Sequence, residues 1–164
     1  MIPKPTVRLV ALPLAAAALL AGCGTSDKPA PSRQATVRAL GQQVMPFRLD
    51  RTTHIFDKTA NGGMESVVAK TAADGAQVPL IREHLRREQR LFAHGNFQDP
   101  MAVHGMAMPG IDALRHNPAQ IKITYQALAN GAQLRYVTTD PHLQSALHEW
   151  FDAQLMDHGS DASL

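Results

Sequence analysis

Apolar and polar residues alternate along four short stretches of this chain and recur at helical spacing along two longer ones. Thr52-Thr53-His54-Ile55-Phe56-Asp57 and Glu65-Ser66-Val67-Val68-Ala69-Lys70 are β-branched and aromatic, and they flank Asn61-Gly62-Gly63. Two strand-like runs around Asn-Gly predict a hairpin. From Ala76 to about Ala93, Val78, Ile81, Leu85 and Phe92 share one face while Arg and Glu fill the other. That spacing predicts a helix with Asp74 as N-cap and His94-Gly95 as its stop.

The second half repeats the pattern. Ile121 to Tyr125 and Gln133 to Val137 read as strands around Asn130-Gly131, after a short helix from Pro109 to about Arg115. Asp140-Pro141 then opens a helix that turns Leu143, Leu147, Phe151 and Leu155 inward, with Trp150 beside them, and ends at His158-Gly159. The expected fold is α+β: a ββα unit used twice, giving a mostly antiparallel sheet with helices packed on one face.

The first fifty residues have a different character. Lys4 and Arg8 precede an apolar run from Leu9 to Ala21 that is broken by Pro13 and closed by Leu20-Ala21-Gly22-Cys23. A bilayer span needs roughly 20 apolar residues, so a transmembrane anchor fits poorly. The pattern resembles a bacterial lipoprotein signal, which implies a signal peptide over 1–22 and acylation of Cys23. Gly24 resembles the residue found after the cysteine in lipoproteins sent to the outer membrane. Residues 23–50, rich in Pro, Ser, Thr and Gln, are expected to be the lipidated cysteine and a flexible tether. The folded domain is expected over 51–159, with a polar tail over 160–164.

Processing changes the chemistry available. Cys23 is the only cysteine, so no thiol remains for a disulfide, a thiolate metal site or a nucleophile. Removal of Lys4 and Arg8 takes the 16 basic residues to 14, equal to the 14 acidic ones. A near-neutral chain without a clustered basic excess gives no nucleic-acid footprint. The expected partners are membrane lipid through Cys23 and a metal ion, in a cell-envelope setting facing the periplasm.

Met101, His104, Met106 and Met108 crowd one stretch flanked by Pro100 and Pro109-Gly110, which is expected to be a loop. Thioethers with one imidazole suit Cu(I). The plainer reading makes these methionines flexible apolar fillers. Eight histidines are also more than composition leads one to expect. His94 and His158 are explained as helix C-terminal residues before glycine. His116 and His142 are expected to be solvated, and the face of His54 is open. His84 with Glu88, and His148 with Asp152, are four apart on their helices, where they either share a zinc or copper ion or form ordinary surface pairs. Arg82, Arg86, Arg87 and Arg90 form a basic stripe, read as a solvated face or as a contact for lipid headgroups. No glycine-rich phosphate loop, G-x-S-x-G or H-E-x-x-H motif is present.

Three segments carry a family resemblance: Thr53-His54-Ile55-Phe56-Asp57-Lys58-Thr59 with Asn61-Gly62-Gly63; His104-Gly105 with Met108-Pro109-Gly110; and Trp150-Phe151-Asp152-Ala153-Gln154-Leu155 with Asp157-His158-Gly159. Over roughly 51–159 the chain resembles a family of small exported bacterial proteins whose members are often labelled aspartate carbamoyltransferase. The resemblance implies one fold unit and life outside the cytoplasm. The labelled activity implies a Ser-Thr-Arg-Thr phosphate-binding run, which this chain lacks. The sequence therefore reads as a membrane-anchored periplasmic binding module for copper, zinc or a similar ion, with His104, Met106, Met108, Met101, His84 and His148 as candidate ligands. A structural or interaction lipoprotein without metal is the alternative. An enzyme of the labelled kind has the least support in the residues.

Overall fold

A computed structural model describes residues 30–71 and 74–164. The lipidation site proposed at Cys23 and the signal peptide over 1–22 lie outside the described residues. Five helices, α1 (Arg33–Val44), α2 (Gln77–Phe92), α3 (Gln98–His104), α4 (Ile111–His116) and α5 (Pro141–His158), accompany five strands, β1 (Thr52–Thr59), β2 (Gly62–Ala69), β3 (Lys122–Leu128), β4 (Gly131–Val137) and β5 (Ala162–Ser163). The fold is α+β, as the alternation predicts.

The sheet runs β3-β4-β2-β1-β5. Its two hairpins join through antiparallel pairing of β2 with β4, while β5 lies parallel to β1. Period two places His54, Phe56, Val67, Ala132, Leu134, Tyr136 and Ile123 on the buried face. α2 crosses β4, β3 and β2, and α5 crosses β2 and β1. Glycine makes one close approach practicable: a Cβ on Gly63 would come within 2.6 Å of the Phe151 ring, so α5 sits down on β2 only because Gly63 has none. Trp150 is fully enclosed at the centre, with Phe92 and Phe97 stacked on each other at 4.4 Å and both meeting it edge-on.

Helix ends follow their local chemistry. Asp140 caps α5 by accepting from His142 N at 2.8 Å and Leu143 N at 3.3 Å, with Pro141 in the first turn. α2 ends as expected at a left-handed Gly95, whose N–H bonds Phe92 O. Its start differs. Asp74 does not cap it; Asp74 pairs with Arg51, and Ala76 holds the N-cap position without a side-chain bond.

Three expectations give way. The tether expected across 23–50 is, in its second half, the helix α1. Ser32 caps it by accepting from Ala35 N at 3.2 Å, and Val37 and Gly41 are buried on its inner side. The spacing Val37, Leu40, Gly41, Val44 is helical, but the surrounding polar composition conceals it. The polar tail is a 3-10 turn over Gly159–Asp161 followed by β5, and Asp161 is buried against Arg38 and Lys70. The stretch expected as a Met/His loop is partly helical, since Met101 and His104 belong to α3. Among the described residues no helix is long and apolar enough to cross a membrane.

Candidate functional site

The proposed thioether cluster does not converge. Met101 and Met108 are buried in the main apolar core, whereas Met106 is 68% exposed. Helical geometry explains the split. Met101 lies one turn before His104 on the inner side of α3, and Gly105, with φ of +93°, turns the chain outward before Met106. His148 stands apart as well. Its Nε2 faces Thr59 O at 3.2 Å and Gly62 O at 2.8 Å, and its expected neighbour Asp152 pairs instead with Lys58 at 2.5 Å. Of the six candidate ligands, His84 and His104 alone reach a shared cavity.

That cavity lies over the sheet between the C-terminal ends of α1 and α5, the C-terminal half of α2, and α3. Its polar lining is His54, His84, His104, His158, Glu65, Glu88, Asp99 and Gln154. It offers about 30 Å³ to the centres of water-sized molecules. Sites for organic ligands run to roughly 300–1,000 Å³, so this space suits an ion or a water rather than a metabolite.

Three imidazoles form a contiguous group. His54, from β1, stacks on His158, the last residue of α5, with ring centroids 4.6 Å apart. His158 meets His104, at the end of α3, edge-on at 5.0 Å. His104 Nδ1 lies 2.9 Å from Asp157 Oδ2. As an N–H donor there, it leaves Nε2 with a free lone pair, the arrangement by which a carboxylate orients a metal-ligating histidine. Arg33 holds the same carboxylate, donating from Nε to Oδ1 at 2.8 Å and from Nη2 to Oδ2.

The other histidines separate cleanly from these. His94 and His116 bond backbone carbonyls of their own helices, at Arg90 O and Asp112 O, and His142 is exposed. In the cavity, His54 Nδ1 and Gln154 Oε1 are buried without a hydrogen-bond partner among the described residues. Gln154 stands beside His104 near enough to favour its protonated ring, yet out of hydrogen-bond alignment. Buried polar atoms left unpaired cost free energy, so they mark where a ligand or water has most to gain.

Burial sets the charge state. It pushes His158 down to about 3, with His104 nearby adding to the effect, and His84 down to about 4. His54 falls well below its ordinary value, first through burial and then through the neighbouring histidines. Burial lowers His104 too, opposed by Asp157. All four rings are therefore neutral at pH 7 and able to donate lone pairs.

The remaining ionisable lining of the cavity is carboxylic: Glu65, Glu88 and Asp99. Burial raises Glu65 to about 7 although it accepts a 2.8 Å bond from the Tyr136 hydroxyl. Glu65 is half-buried as a residue, but its carboxyl lies on the cavity side, one cross-strand diagonal from His54. Burial, and then Asp99, raise Glu88 to about 9. Glu88 therefore carries a proton that Asp99 accepts, while Arg87 bonds both.

Three of the four arginines in the basic stripe on α2 contact the fold itself, while Arg90 is exposed. Arg82 donates to Leu128 O at 2.5 Å and Gly131 O at 3.2 Å, Arg86 lies over the Tyr125 ring at 4.7 Å, and Arg87 serves the Glu88–Asp99 pair.

Sequence reasoning missed His54, His158, Glu65, Asp157 and Gln154. For His158 the helix-end explanation was sufficient by itself. For His54 the face of β1 was undetermined. Among the described residues, no three His, Cys, Asp or Glu side chains already stand where they could hold one metal ion. No family model, no curated protein and no solved structure matches this chain.

Proposed function

We propose that this chain is an envelope-anchored binding module whose cavity takes a single transition-metal ion through His54, His104 and His158. The observation that carries the reading is the His104–Asp157 hydrogen bond beside two further neutral imidazoles that are buried in the same small cavity. Imidazole nitrogen with carboxylate nearby fits zinc or copper(II) better than it fits copper(I), which the thioethers of the Met101–Met108 stretch would favour. Binding requires His54 and His158 to rotate out of their stack, since two rings only 17° from parallel aim their in-plane lone pairs side by side and not at one point. The lipoprotein pattern ending at Cys23 and the resemblance to small exported proteins support a periplasm-facing, outer-membrane placement.

A second reading, a structural lipoprotein without metal, is favoured by the absence of three ready-placed donors among the described residues. Titration decides between them. Zinc or copper(II) added to the chain beginning at Gly24 should bind one ion at micromolar affinity or better, and His104→Ala or His158→Ala should lose it. No binding by the unaltered chain would sink the metal reading and leave the structural one.

A further inference from the structure

The cavity has a door, and the inference about it rests on the metal reading of the site. Helix α1 lies over the imidazoles. Val44 and Met45, at its C-terminal end, line the cavity itself. Its first two turns border an outer groove formed by Gln34, Ala35, Arg38, His158, Gly159 and Ser160. His158 belongs to both spaces, so it is the wall between solvent and the interior.

Few bonds hold this helix down. Arg33 reaches Asp157 through both branches of its guanidinium, and its Nη2 also donates to His104 O at 2.6 Å. Gln34 Nε2 donates to Met156 O at 3.2 Å, and Arg38 pairs with Asp161 at 2.5 Å. These ties run from α1 to the end of α5, the turn after it, or His104. Both arginine side chains are about half exposed, at 51% and 48%, so solvent reaches one side of each pair although the carboxylates themselves are covered. Beneath them Val37 and Gly41 are buried, and Met45 at the far end packs partly buried against the core. The sheet and the large aromatic core that tie the remainder of the domain lie mostly outside α1, so the helix can lift while they stay in place.

We propose that α1 is a gate over the imidazole site and that Arg33 is its latch. The coupling is one oxygen atom: Asp157 Oδ2 receives Arg33 Nη2 and His104 Nδ1 together. Lifting α1 withdraws Arg33 from the carboxylate that orients His104 and opens the groove onto His158. The gate sets how fast an ion enters and leaves, while the imidazoles set how tightly it is held. Arg33 is a positioning residue. It touches the ion at no point and acts through Asp157.

The test compares the full chain with Arg33→Ala, Arg38→Ala and the double variant, all in mild detergent. Stopped-flow mixing with Zn²⁺, and then with a chelator, reads uptake and release. The double variant should accelerate both by about tenfold, with the equilibrium affinity changed much less. Arg38→Ala, which touches neither Asp157 nor His104, should act in the same direction. A metal-free measurement runs beside it: the rate at which diethyl pyrocarbonate modifies His104 and His158, resolved by mass spectrometry. That rate should be slow in the unaltered chain and several-fold faster in the variants. Equal modification rates in all four proteins would overturn the gate. Absence of Zn²⁺ binding with faster modification in the variants would overturn the metal reading and leave the gate standing.

Discussion

His54 and His158 stack at 4.6 Å, joining the first strand of the sheet to the last turn of the last helix. Neither ring has a protein hydrogen bond among the described residues, whereas His104 beside them is held by Asp157. The three are thus unequal. One imidazole is oriented by a hydrogen bond, and two are held by packing alone.

That inequality makes Asp157 the most informative position to change. Asp157→Asn keeps the shape of the side chain but removes its charge and the firm acceptor for His104 Nδ1. Zinc affinity should fall by about 10- to 100-fold, with little loss of secondary structure by circular dichroism. An unaltered affinity would mean that His104 is not a ligand.

Stability should pass through a maximum near neutral pH. Folded His158 and His84 titrate at about 3 and about 4, against 6.5 when unfolded, so below 6.5 the unfolded chain binds more protons and stability rises with pH. Folded Glu65 and Glu88 titrate at about 7 and about 9, against 4.5 when unfolded, so above 4.5 the folded chain holds more protons and stability falls with pH. The two sets oppose each other up to 6.5, where the lowered His54 and His104 tip the balance towards rising stability. Above pH 7 Glu88 alone remains, at about 1 kcal/mol per pH unit, until about pH 9. Thermal unfolding across pH 4–9 measures this profile. Glu88→Gln should flatten its alkaline limb, and a melting temperature that climbed from pH 7 to 9 would contradict it.

The methionines should divide by burial. Met101→Ala and Met108→Ala empty core positions and should cost about 2–5 kcal/mol each. Met106→Ala, at the surface, should stay within about 0.5 kcal/mol. Urea unfolding of the three variants measures the difference. Loss of copper(I) binding in Met106→Leu would restore the thioether site that the burial pattern argues against.

Deleting residues 160–164 should be felt through the whole domain. The deletion removes β5 from the edge of β1 and takes Asp161 from Arg38 and Lys70. A loss of about 1–3 kcal/mol is expected in denaturant unfolding; an unchanged midpoint would show that the segment is an appendage.

Much of this fold is written locally. Asn61-Gly62, Asn130-Gly131 and Asp140-Pro141 each act on neighbours a few residues away, and each hairpin and helix stands where those signals put it. α1 escaped because its helical spacing is carried by only a few apolar residues among Arg, Gln and Thr, and because its burial depends on α3 and α5, far along the chain. The site is harder still to read. His54, His104 and His158 come from three separate elements, and nothing in their spacing brings them together. His84 and Glu88 were legible as a pair on one helical face, yet what their environment does to them comes from Asp99 and from burial. The Met101–Met108 stretch drew the eye because its donors are adjacent in sequence. Adjacent donors on a helix followed by a turn point in different directions.

Asp157 and His158 close α5, a few residues before the strand at the sheet edge, whereas His54 stands on β1 and His104 at the end of α3. The imidazole group therefore exists only while α5 is docked on the sheet, and any change that frees the end of α5 disperses it.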